Sequence, residues 1–75
     1  MDDYQWKAEL EAVMGALSGL ITELEAISAA LRTDFSGIGT EYCADRIDGE
    51  TASYRLAYSL LVQLSARLPV MMQAQ

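Results

Sequence analysis

The chain is predicted to be all-α, an antiparallel hairpin of two long helices. Two stretches carry large apolar residues at alternating spacings of four and three, and a short glycine-containing segment without that repeat separates them. The chain has 75 residues, which makes one domain near the size where a single core stabilises a fold only marginally. Association is therefore the expected supplement, and the fold class extends to a four-helix bundle made with a second hairpin.

In the first stretch Trp6, Leu10, Val13, Leu17, Leu20, Leu24, Ile27 and Leu31 form a coiled-coil-like heptad seam. Asp2 or Asp3 can cap the first turn, and Glu9 and Glu11 sit near the positive end of the helix dipole. The helix is predicted over about residues 3–32. A second series, Ala8, Ala12, Gly15, Gly19, Thr22, Ala26 and Ala29, repeats with the same spacing almost opposite the seam. It reads either as ordinary alanine-rich helix or as a contact face where another backbone approaches, with Gly15 and Gly19 as partner-interface candidates.

The periodicity stops between residues 33 and 40, where Gly37 and Gly39 can adopt positive φ and Ser36 or Thr40 can cap the next helix. Phe35 and Ile38 are expected to fold back over the end of the hairpin.

The second helix, about residues 40–68, repeats the heptad at Cys43, Ile47, Glu50, Tyr54, Ala57, Leu61, Leu64 and Leu68. Pro69 is expected to stop it, leaving residues 69–75 as a frayed tail. Glu41, Asp45, Asp48, Arg55, Ser59 and Gln63 form the opposite, solvated side. The expected hairpin core is thus Leu10, Val13, Leu17, Leu20, Leu24, Ile27, Leu31, Ile47, Tyr54, Leu61, Leu64 and Leu68. Met14, Ile21, Leu56 and Leu60 form second apolar strips too long to stay wet, and Leu56, Leu60 and Tyr58 join the interface candidates.

Composition narrows function by exclusion. Acidic residues outnumber basic ones 11 to 5, so the net charge is −6 and a phosphate-binding basic face is not expected. There is no His, and the serines have no base beside them, so catalysis is not expected. No metal or other cofactor and no small-molecule substrate is expected, because Glu41, Asp45 and Asp48 lack the Glu-x-x-His pairing of a di-metal bundle. The single Cys43 reads as a small buried seam residue, with a partner-linked or redox thiol as the alternative. Glu50, charged on an apolar seam, should lie near an end of the buried layer or pair with Arg46, Arg55 or a partner's arginine, and such a residue can fix register. The first residues carry Asp2 and Asp3 rather than Lys or Arg, and no apolar run approaches a spanning length, so neither signal peptide nor membrane insertion is expected. A cytoplasmic protein is expected, any export following a leaderless route.

Two long amphipathic helices around Phe35-Ser36-Gly37, an aromatic-x-Gly element in the turn, resemble the small Trp-x-Gly hairpin proteins of type VII (ESX-like) secretion and their LXG-toxin-associated relatives. The resemblance implies a homo- or heterodimeric four-helix bundle that accompanies, or is, a secreted substrate. Phe stands in place of Trp, and the C-terminal Tyr-x-x-x-Asp/Glu export signal is missing, since Tyr58 follows Tyr54 where an acid belongs. That favours a targeting partner or chaperone-like companion. The competing reading is a small acidic inhibitor or antitoxin that occludes a basic surface.

Overall fold

The computed structural model describes residues 3–34 and 37–73, and two helices account for almost all of them. Helix α1 spans Asp3–Thr33 and helix α2 spans Ile38–Gln73. They pack antiparallel as an all-α hairpin measuring 57 × 16 × 14 Å. The long dimension is what about 36 residues of helix require at 1.5 Å each.

At the turn the Asp34 amide donates to the Ala30 carbonyl at 2.8 Å, closing α1, and the Glu41 amide donates to the Gly37 carbonyl at 3.3 Å, opening α2. Gly37 has φ +134°, a conformation that disfavours any side chain, so the predicted need for glycine is met there. Gly39 needs no such freedom, because it already lies inside α2. Thr40 does not act as a side-chain cap. Its hydroxyl donates back to the Gly37 carbonyl at 2.8 Å. Phe35 and Ser36 lie outside the described residues, as does the side chain of Leu68.

Helix α2 also continues past Pro69 to Gln73. The proline forfeits only the bond its own amide would make to the Ser65 carbonyl, and residues 70–73 keep their amide donors, so the expected stop does not follow.

The buried seam is not the predicted one. On α1 it follows Leu10, Met14, Leu17, Ile21, Leu24, Ser28 and Leu31, and on α2 Thr40, Ala44, Ile47, Thr51, Tyr54, Tyr58, Leu61 and Ser65, all buried or half-buried. Spacings of four and three persist, and every second predicted position is kept. The others move on by one residue, which turns the buried stripe by roughly 50° about each helix axis. Val13, Leu20 and Ile27 on α1, and Leu64 on α2, assigned above to the core, are instead exposed.

Helix α2 explains the rotation. On α1 the predicted stripe is the more apolar, since the observed one includes Ser28, but the predicted stripe on α2 would bury Glu50, and an unpaired buried carboxylate costs several kcal/mol. The observed stripe puts Thr51 there, its hydroxyl satisfied by the Ile47 carbonyl at 2.8 Å. It also seats Ala44, fully buried, against Ser28, so that small side chains let the helices approach near the turn.

Candidate protein-interaction surface

The rotated seam gives the hairpin two unlike faces. On one flank polar residues from both helices meet. Buried Ser28 donates to Asp48 Oδ1 at 2.6 Å, and Arg32 Nη1 donates to Ser28 Oγ at 2.6 Å. The Arg32 guanidinium also pairs with Asp45 at 2.6 Å and Asp48 at 2.8 Å. Further from the turn Arg55 pairs with Glu25 at 3.1 Å. From this pair a shallow mixed groove lined by Ser18, Ile21, Thr22, Glu25, Arg55, Tyr58 and Ser59 runs away from the turn. Asp45, Asp48, Arg55 and Ser59 were expected on a solvated back. The structure shows them beside the seam, and the physical reason is again the 50° turn of α2.

The hydroxyl of Ser28, together with Arg32, holds the Asp48 carboxyl below its ordinary range, and Asp48 and Asp45 raise Arg32. A carboxyl lowered in the folded state stabilises the fold at neutral pH, and that contribution is lost as pH falls through and below the ordinary carboxylate range. We expect Asp48→Asn to lower the melting temperature at pH 7 and to flatten its decline on acidification, read by circular dichroism from pH 7 to pH 2. An unchanged acid profile would deny the cluster its role in closing the turn end.

The other flank is apolar. Trp6 (47% exposed), Val13 (54%), Leu20 (40%) and Ile27 (49%) recur every seventh residue on α1. The corresponding stripe on α2 is Cys43, Glu50, Ala57 and Leu64, the last 39% exposed. In an antiparallel pair the two stripes flank the seam on the same side, and one groove lined by Leu20, Leu24, Arg46, Ile47, Glu50 and Tyr54 joins them. Cys43 is thus exposed rather than buried, because it belongs to this flank. Glu50 has neither Arg46 nor Arg55 as an ion-pair partner: Arg55 is taken by Glu25, and Arg46 points to the Tyr42 hydroxyl at 3.5 Å.

The other interface candidates are scattered. Leu56 and Leu60 are exposed but lie around the back of α2, and Tyr58 is half-buried beside the mixed groove. Gly15 and Gly19 are exposed, and a Cβ built on either meets nothing within 4 Å, so no backbone of this hairpin approaches their stripe. Sequence reasoning missed this surface because Val13, Leu20, Ile27 and Leu64 were assigned to the core. Its signal was the seven-residue recurrence of Trp6, Val13, Leu20 and Ile27 beside an alternative stripe through Met14, Ile21 and Ser28.

This two-stripe apolarity also bears on the membrane expectation. Within Gln5–Thr33 an 18-residue stretch reaches a mean hydropathy of 1.3, so α1 does pass a test of length and composition for a span, contrary to the expectation above. That evidence is weak, because one stripe packs on α2 and Glu9, Glu11, Glu23 and Glu25 remain exposed. Among the described residues no three His, Cys, Asp or Glu are grouped to hold a metal ion. The chain matches no family model, no curated protein and no solved structure.

Proposed function

We propose that this chain is a non-catalytic interaction protein whose apolar flank docks on a second helical hairpin to complete a four-helix bundle. The observation that carries the reading is the exposed stripe of Trp6, Val13, Leu20 and Ile27 beside Leu64, four of them aliphatic and one a large aromatic, on the side away from the ion pairs. The elongation of the molecule supports it. Its radius of gyration is 17.1 Å, where a compact chain of this length has about 11 Å. Its surface is 5686 Å², where a compact monomer of 8.2 kDa exposes about 4,500 Å².

Replacing Val13 and Leu20 together by Glu is the direct test. The variant is expected to keep its helicity in the cold, to melt lower and independently of concentration, and to lose assembly by at least about 100-fold, since two carboxylates would be desolvated. Sedimentation equilibrium beside circular dichroism reads both. Unchanged assembly would remove the apolar flank from the interface.

For the cellular role we propose a companion of a type VII-like secretion system, resident in the cytoplasm and exported, if at all, without a leader. Paired hairpins of long, matched helices are the architecture that this role uses. Deletion of the chain should then lower export of substrates encoded beside it, and normal export would count against the role. An acidic inhibitor is less well supported, because Glu25, Asp45 and Asp48 already pair with arginines of the same chain.

A further inference from the structure

We propose that the occupant of the apolar flank is a second copy of this chain, turned end for end about a two-fold axis perpendicular to the helices, with Glu50 of each copy paired to Arg67 of the other. The inference rests on the interaction reading above and adds to it the partner's identity and orientation.

The heights of residues along the hairpin are fixed by its own cross-helix contacts, Arg32 to Asp45, Ser28 to Asp48 and Glu25 to Arg55. They bring the middle of α1, between Ser18 and Gly19, level with α2 between Tyr58 and Ser59. An axis at this height superposes the two copies over nearly their whole length. It carries Trp6 opposite Leu31, Val13 opposite Leu24, Leu20 opposite Leu17 and Ile27 opposite Leu10 of the second copy. Every exposed residue of the α1 stripe thereby meets a leucine at the edge of the seam. An isologous interface makes each of these contacts twice.

The same axis decides the charges. Glu50 has no ion pair within the hairpin among the described residues, and neither has Arg67, which is exposed. The end-for-end axis sets these two at one height, on the helix sides that meet. An axis running parallel to the helices instead sets Glu50 against Ile27 of the second copy and leaves Glu50 without a cation, although it brings Arg67 level with Glu9. The apolar match on α1 and the charge match on α2 are separate observations, and a single axis satisfies both. The excess surface also suffices, since a stable pair needs roughly 800 Å² from each partner.

The test uses the full chain with a nitroxide on Cys43, the single cysteine and an exposed one. In the end-for-end dimer the two Cys43 sites differ in height by about 31 residues, or about 46 Å, whereas a parallel axis keeps them within about 25 Å. Electron–electron double resonance should therefore give a distance near the longer value. Glu50→Arg and Arg67→Glu should each weaken the dimer about tenfold or more, and the double exchange should restore it, with circular dichroism confirming helicity throughout.

A short label distance would overturn the orientation, and failure of the double exchange to restore assembly would overturn the Glu50–Arg67 pairing. A monomer at high micromolar concentration would overturn the second copy as occupant. In that event the interaction reading has its own check, whether the Val13 and Leu20 replacements release a different hairpin protein that the unmodified chain binds.

Discussion

Ile21→Asp is expected to abolish the hairpin, while Leu20→Asp, one position earlier, leaves a helical chain that has lost only its assembly. Ile21 is buried against α2, and the neighbouring Arg55 already pairs with Glu25, so an aspartate there must stay charged without a cation of its own or become protonated. Either course costs about 3–5 kcal/mol, comparable with the whole stability of a small domain. Leu20 sits on the apolar flank with 40% of its surface exposed, so a carboxylate at that position reaches water in the separated hairpin. Helical signal and melting temperature, recorded at several protein concentrations, distinguish the two. Loss of structure in Leu20→Asp with retention in Ile21→Asp would restore the seam that periodicity alone suggests.

Ala44→Leu should be the most damaging enlargement in α2. Ala44 has no exposed surface, and its carbonyl lies 3.5 Å from the Ser28 hydroxyl, so the facing helix leaves no room for three further carbons. Overpacking of this kind costs about 1–3 kcal/mol, and forcing the helices apart here also lengthens the Ser28–Asp48 bond that closes the turn end. Ala52→Leu, on the exposed side of the same helix, should change stability by no more than about 0.5 kcal/mol. Chemical denaturation of both variants measures the contrast. Equal stabilities would mean that the helices do not approach closely near the turn.

Much of this protein was legible in the residue order. Two helices, their antiparallel arrangement and the limits of α1 follow from the apolar period, the capping chemistry and the short glycine-containing turn, which offered Gly37 and Gly39 without choosing between them. Pro69 shows the limit of even local rules, since losing one amide donor did not end the helix.

Which stripe of each helix became the core was decided only by tertiary structure. On α1 the series through Val13, Leu20 and Ile27 and the series through Met14, Ile21 and Ser28 share Leu10, Leu17, Leu24 and Leu31, and hydrophobicity alone favours the first, the one that did not become the core. The choice belongs to α2, where one rotation would bury the Glu50 carboxylate and the other buries Thr51 and Ala44. That same rotation draws Arg32 to Asp45 and Asp48 and Arg55 to Glu25, residues 13 to 30 positions apart whose pairing no single-helix pattern encodes. The exposed apolar flank is its by-product. A periodic sequence determines that a helix has an apolar face, but the cost of burying a charge on the opposing helix determines how that face is turned.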